Sequence, residues 1–109
     1  MIINRLIIPE YNNINFVVRH TENGEKYELP SDYRYYIIVA ENKPPYNTVC
    51  FYESYSEHFN FSQSFPAGEY IFEVGIIDER DKRTVILPSL DERNKPMNQL
   101  IVLRRLNNE

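Results

Sequence analysis

The segment Phe65-Pro66-Ala67-Gly68-Glu69-Tyr70-Ile71-Phe72-Glu73-Val74 decides the fold that this sequence predicts. Pro66 and Gly68 mark a tight corner, and an apolar run with β-branched and aromatic residues begins directly after it. Side chains alternate along an extended strand. A strand over residues 69–77 therefore places Tyr70, Phe72, Val74 and Ile76 on one face and Ile71, Glu73, Gly75 and Ile77 on the other.

Outside this segment, short apolar runs are separated by turn signals about every 8 to 12 residues, which is typical of sandwiches and barrels. The run at 33–41 is apolar on both faces and predicts a central strand. A short terminal helix is the alternative for residues 99–106. The further predicted strands are 2–8, 14–20, 48–55, 57–64, 84–87 and 99–106, with an optional short strand at 27–29. The sequence thus predicts an all-β fold of about eight antiparallel strands.

Length and composition favour one small globular domain. The chain has 109 residues, of which 42% are hydrophobic, enough for one core. We expect a single domain over residues 1–109, with a loop at 89–98 and the final strand at 99–106. The apolar N-terminus is too short and interrupted for a membrane span or a signal peptide, so no membrane association is expected.

The charge pattern argues against nucleic-acid binding. The net charge is −4, and the 12 basic residues are scattered among 16 acidic ones. Phosphate binding needs clustered Lys and Arg. The single cysteine, Cys50, permits no intramolecular disulfide, which favours folding in a reducing cytoplasm.

No motif for catalysis, a metal or a cofactor is recognisable. Cys50 lies in the middle of a predicted strand, where a buried inert thiol is expected rather than a nucleophile. His20 and His58 lack the short spacing of zinc ligands. With three glycines in the whole chain, there is no phosphate-binding loop. We expect neither enzymatic activity nor a cofactor.

The tyrosines indicate a surface role. The chain has nine Tyr and six Phe, more than a thin core accommodates, and exposed Tyr is common at protein interfaces. Tyr46, Tyr52 and Tyr55 are the interface candidates; ordinary core and sheet-face packing and a sugar-stacking platform are the alternatives. For the last strand, burial within the domain is the expectation, and pairing of Ile101, Leu103 and Arg105 with another chain is the alternative, since an apolar strand at a sheet edge is prone to such pairing.

Gly68-Glu69-Tyr70-Ile71-Phe72 resembles the corner of immunoglobulin-like and fibronectin-like sandwiches, where a small residue, one spacer and a Tyr open a strand. The fold corner would then consist of Pro66, Gly68 and Tyr70. In those folds the Tyr hydroxyl bonds back to backbone a few residues upstream. Phe72 stands where antibody domains have a Cys, and the chain has no Trp. The resemblance thus implies a sandwich without membership of the antibody family.

A longer pattern is similar to small immunoglobulin-like modules of tailed bacteriophages, such as the N-terminal domain of baseplate upper proteins and related virion accessory proteins. It runs from Asn23-Gly24 through the 65–70 corner and the charged tip at 78–83 to the closing strand at 99–106. This resemblance implies a virion structural protein that decorates a capsid, docks a fibre or joins tail or baseplate parts.

Three functions follow as expectations, of which the third is a generic bacterial interaction domain. The first is a non-enzymatic virion module, folded in the host cytoplasm, whose partners are other virion proteins of the capsid, fibre or tail or further copies of itself. The second is a carbohydrate-binding β-sandwich that uses the exposed tyrosines.

Overall fold

Extended chain dominates the structure. The computed structural model describes residues 5–8, 14–61, 65–87 and 98–104. None of these residues lies in a helix, and about two thirds of them lie in ten strands. The strands are β1 (Arg5–Ile8), β2 (Ile14–Arg19), β3 (Thr21–Glu22), β4 (Glu25–Lys26), β5 (Arg34–Glu41), β6 (Thr48–Ser54), β7 (His58–Phe61), β8 (Gly68–Ile77), β9 (Arg83–Leu87) and β10 (Gln99–Arg104). The all-β prediction is confirmed.

The strands form antiparallel sheets in which β8 has the most neighbours. The larger sheet has the order β1-β8-β5-β6, with β9 also paired to β8. Along one edge β8 pairs with β5; along the other it pairs first with β1 and then with β9. The smaller sheet has the order β10-β2-β7, and β3 and β4 form a separate hairpin.

One hydrophobic cluster joins the two sheets. Alternate side chains of each sheet point into it, as the period of two along a strand requires. Tyr70 and Val74 of β8 are buried there, and Phe72 and Ile76 pack against it, so the predicted inner face of this strand is confirmed. The other buried members are Ile14, Phe16, Val18, Tyr35, Ile37, Val39, Cys50, Phe59, Phe65 and Leu87.

The short strand predicted at 27–29 is wrong. The chain instead turns back at Asn23 and Gly24, whose φ values of 54° and 82° are both left-handed. This is the two-residue turn that suits a tight hairpin, and it pairs Thr21 with Lys26 directly. The strand ends at Lys26, and the backbone N–H of Tyr27 adds one further hydrogen bond, to the carbonyl oxygen of His20 at 2.9 Å.

The remaining strand predictions agree with the structure to within a few residues. Residues 99–104 form a strand, so the helical alternative there is wrong. Residues 105–106 of that predicted strand, positions 89–97 of the predicted loop, and residues 2–4 and 62–64 lie outside the described part of the chain.

Cys50 provides a test of core burial. The side chain faces the cluster on β6 and is 6% exposed. Burial raises the pKa of the thiol from 9.0 to about 11. At pH 8 we expect native protein to react very slowly with a thiol reagent, and unfolded protein to react fully, because the thiolate is the reactive form.

The same pKa shift gives a pH dependence. Because the folded state holds the Cys50 proton more tightly, its contribution to stability is complete below pH 9 and is lost as the pH rises towards 11. Denaturant titrations of wild type and Cys50→Ala at alkaline pH measure it. A Cys50 that labels rapidly in native protein at pH 8 contradicts the burial.

Gly75 provides a second test, because it lies beneath a tyrosine ring. A Cβ atom at Gly75 would meet Cε2 of Tyr36 at 2.5 Å and would also clash with the carbonyl oxygen of Thr84. We expect Gly75→Ala to lower the free energy of unfolding by about 1–3 kcal/mol, the usual cost of overpacking. Gly68→Ala on the same strand is the control, since its Cβ would find its nearest neighbour at 3.8 Å. Equal effects in urea titrations would contradict this packing.

Candidate interaction surface

The corner before β8 holds the start of that strand in place. Tyr70 is buried, and its ring meets Phe65 edge-on with centroids 5.8 Å apart. Its hydroxyl donates a hydrogen bond to the carbonyl oxygen of Pro66, a bond of the kind that the immunoglobulin-like corner implies. Gly68 begins β8. The corner thereby fixes the direction in which β8 leaves the core.

The three interface tyrosines are distributed along β6. Tyr46 precedes the strand, Tyr55 follows it and is 72% exposed, and Tyr52 lies within it. A strand of seven residues is about 23 Å long at the usual rise. Tyr46 and Tyr55 therefore lie at opposite ends of β6, and the three rings do not form one contiguous platform.

Local hydrogen bonds brace the turn that carries Tyr55. The hydroxyl of Ser54 donates to the carbonyl oxygen of His58 at 2.9 Å. The backbone N–H of Ser56 donates to that same hydroxyl, and the N–H of His58 donates to the hydroxyl of Ser56. Ser hydroxyls satisfy backbone groups in this way where a chain reverses tightly. Tyr55 is therefore exposed on a turn that several hydrogen bonds stabilise.

The last strand presents its two predicted interface residues on the outer side of the smaller sheet. Leu103 is 49% exposed, and Ile101 is partly buried. Ile101 lines a cleft of about 300 Å³ together with Val17, Thr21 and Glu57. Arg105 lies outside the described residues.

A larger exposed surface lies on the side of the five-stranded sheet that faces away from the core cluster. We call it the outer sheet face. Strand register places its residues side by side: Ile71 pairs with Ala40, Ile38 with Phe51 and with Glu73, and Gly75 with Tyr36 and Val85. Its members are Arg5, Ile7, Arg34, Tyr36, Ile38, Ala40, Phe51, Glu53, Glu69, Ile71, Glu73, Gly75, Ile77, Arg83 and Val85.

Apolar side chains run across the outer sheet face. Ile7 is 79% exposed, Val85 48% and Phe51 39%. Half-buried Ile71 and Ile38 lie between Ile7 and Phe51 in the register of the sheet. Ile7 and Phe51 are therefore parts of one apolar area, and Val85 lies at its margin opposite Gly75; contiguous apolar areas mark interaction sites.

Four of the six charged side chains on the strands of this face form ion pairs within the sheet. Arg5 bridges Glu69 at 3.0 Å, and Arg34 bridges Glu53 at 2.8 Å and Asp81 at 3.0 Å. Exposed ion pairs of this kind add little to stability. They do mean that a partner covering the face would bury charges that already have partners, which lowers the desolvation cost.

Tyr36 lies at the centre of this face. Its side chain is fully buried even though it points away from the main core. Its hydroxyl donates to Oε2 of Glu73 at 2.6 Å, and the guanidinium of Arg83 lies 5.3 Å from its ring centroid and 5.0 Å from that of Phe51. Burial, followed by the bond to Glu73, raises the pKa of the Tyr36 hydroxyl. Tyr36, Phe51 and Arg83 thus form a small second core.

The sequence predictions missed this surface, because they followed the tyrosines around β6 and the last strand. The signal that could have revealed it was apolar residues on both faces of two neighbouring strands, 33–41 and 69–77. Without the pairing of β5 with β8, nothing in the sequence places Ile38 beside Phe51 or Val85 beside Gly75.

The histidines and Cys50 do not form a metal site among the described residues, where no group of three His, Cys, Asp or Glu side chains is arranged to hold an ion. Nδ1 of His20 lies 3.0 Å from the hydroxyl of Tyr35, and partial burial lowers the pKa of His20. His58 is exposed beside Glu57. In the same part of the chain, no helix is suited to crossing a membrane.

Comparison of the chain with protein-family models, with curated proteins and with solved structures gave no significant match.

Tyr36→Phe tests the second core. We expect the free energy of unfolding to fall by about 1.5–3 kcal/mol, because a hydrogen bond to a charged acceptor is lost. The raised pKa adds a pH dependence: this contribution is complete below pH 10 and is lost as the pH rises above it.

Tyr55→Phe is the control, since the Tyr55 ring lies mostly in solvent. It should leave stability unchanged in urea titrations at pH 7. If Tyr36→Phe behaves like this control at pH 7, the bond to Glu73 does not stabilise the fold as described.

Proposed function

We propose that this chain is a non-enzymatic protein–protein interaction module and that the outer sheet face is its contact surface. The observation that carries the proposal is the apolar area formed by Ile7, Phe51 and Val85 together with ion pairs closed within the sheet. Apolar area supplies the driving force for association, and paired charges at its margin resemble the polar rim of an interface.

The proposed architecture is an immunoglobulin-like β-sandwich. Two observations support it: inner side chains of both sheets contribute to one cluster, and a Tyr opens β8 after a corner and bonds back to Pro66. In such a sandwich the core lies between the sheets, so an exposed apolar area on an outward side is left available for a partner.

The proposed setting is the virion of a tailed bacteriophage, where the module would decorate a capsid, dock a fibre or join tail or baseplate parts. The resemblance to small phage modules is its support. Virion proteins are present in many copies on a repeating lattice, so a weak contact at each copy adds up through multivalency. A small face like this one suffices under those conditions. The chain would be made and folded in the host cytoplasm.

The carbohydrate alternative has less support. A sugar-stacking site needs aromatic rings close enough to contact one ligand, and Tyr46 and Tyr55 flank opposite ends of β6. The outer side of β10, with Ile101 and Leu103, is a more serious rival as a protein contact, because Leu103 is as exposed as Val85.

Val85→Glu and Leu103→Glu form a matched pair that tests the proposal. Both positions lie on strands, are 48% and 49% exposed, and belong to different sheets. Phage particles are purified from the source strain after complementation with each variant, and the chain is quantified in them by mass spectrometry. We expect Val85→Glu to reduce incorporation at least about tenfold, a change of ~1.4 kcal/mol, and Leu103→Glu to leave it unchanged.

Circular dichroism and melting temperature establish that each variant is folded. Ile7→Glu, at a position 79% exposed, repeats the test where a glutamate is least able to disturb the fold. Loss of incorporation with Leu103→Glu alone would move the contact to the smaller sheet. Particles that lack the wild-type chain would overturn the virion setting.

A further inference from the structure

We infer that the partner of the outer sheet face is a second copy of this chain, so that two copies associate face to face as a symmetric dimer. This inference rests on the proposed function of that face as a contact surface, and it adds the identity of the occupant.

The charge distribution favours a copy over an oppositely charged partner. The chain carries a net charge of −4, which would repel a second copy at most orientations. On the strands of the outer sheet face, however, three arginines and three glutamates are in balance. They are Arg5, Arg34, Arg83, Glu53, Glu69 and Glu73. Two such faces therefore carry little net charge against each other, since Asp81, which bridges Arg34 from the adjacent turn, adds only one acid per copy to this balanced set.

The arrangement of those charges is also self-complementary. In a dimer with a two-fold axis, every contact occurs twice: if a first residue of one copy touches a second residue of the other, the reverse contact is also made. Arg5 pairs with Glu69 near one end of the face, and Arg34 pairs with Glu53 near the other. Each end thus carries a closed pair of opposite charges, so neither end presents a single sign of charge that would repel the second copy.

The apolar centre of the face fits the same arrangement. Ile38 and Phe51 are paired in the register of the sheet, and Ile71 lies on the neighbouring strand. A two-fold contact brings this patch against the same patch of the second copy, so one apolar surface covers another of the same size and shape. The pairs Arg5–Glu69 and Arg34–Glu53 then lie towards the rim, whereas Glu73 and Arg83 lie beside Tyr36 within the contact.

The size of the face agrees with a dimer of modest affinity. The outer sheet face is four strands wide and as long as β8, which has ten residues. These dimensions are on the order of 20 × 30 Å, or roughly 600 Å² in projection. A standard interface buries about 800 Å² of accessible surface per partner, and accessible surface exceeds projected area on a face with protruding side chains. A face of this size is smaller than what obligate dimers bury, so we expect a dimer that dissociates reversibly.

Sedimentation velocity of the full chain, at concentrations from about 5 to 500 μM, tests the inference. A reversible dimer whose dissociation constant lies within that range changes from dimer to monomer on dilution. We expect the wild type to shift from monomer to dimer with rising concentration, and Leu103→Glu to shift in the same way. Val85→Glu and Ile7→Glu should each weaken the dimer at least about tenfold, because each puts an unpaired charge into the apolar surface that the second copy would cover. Circular dichroism again confirms that each variant is folded.

The outcomes separate this inference from the proposed function. A wild type that stays monomeric throughout overturns the dimer, yet incorporation into particles can still depend on Val85, which would assign the face to a different protein. A dimer that survives Val85→Glu and Ile7→Glu but is lost with Leu103→Glu places self-association on the smaller sheet and also overturns the inference. If Val85→Glu weakens the dimer but leaves incorporation into particles unchanged, only the proposed virion contact is rejected.

Discussion

Strand β8 has to satisfy neighbours on both edges and pack on both faces. β5 borders one edge, while β1 and β9 share the other. A strand in that position cannot alternate simply between apolar and polar residues, since its outer side chains lie between those of two neighbouring strands. Its inner face supplies Tyr70 and Val74 to the core, and its outer face carries Ile71, Gly75 and Ile77. The remaining structure depends on this two-sided packing.

Gly75 and Tyr36 pack against each other on the outer face of the sheet. Because Gly75 has no Cβ, the ring of Tyr36 lies directly over β8, and its hydroxyl reaches Glu73. Arg83 then covers the ring from β9. A glycine on one strand thus permits a buried aromatic on the next, beneath the exposed face that carries Phe51 and Val85.

The sequence predicted what depends on local chemistry and missed what depends on pairing. Alternation in 69–77, the corner at Pro66 and the buried Cys50 could all be inferred, because each follows from neighbouring residues. The hairpin at Asn23-Gly24 was recognised as a turn, but its pairing was placed too late, at residues 27–29. The outer sheet face could not be predicted from sequence: it joins residues from β1, β5, β6, β8 and β9, and only the register of the sheet brings them together.

The order of the strands also determines when the fold can form during synthesis. The ion pair between Arg5 and Glu69 spans 64 positions, and the bond from Thr21 to Asn98 spans 77. β2 pairs with β7 and, on its other edge, with β10, so it emerges from the ribosome long before its second neighbour exists. Until β10 is made, one edge of β2, the strand that carries Ile14, Phe16 and Val18, has no partner. Folding that depends on such distant contacts is slow. Nascent chains are therefore most exposed to misassociation before β10 has left the exit tunnel.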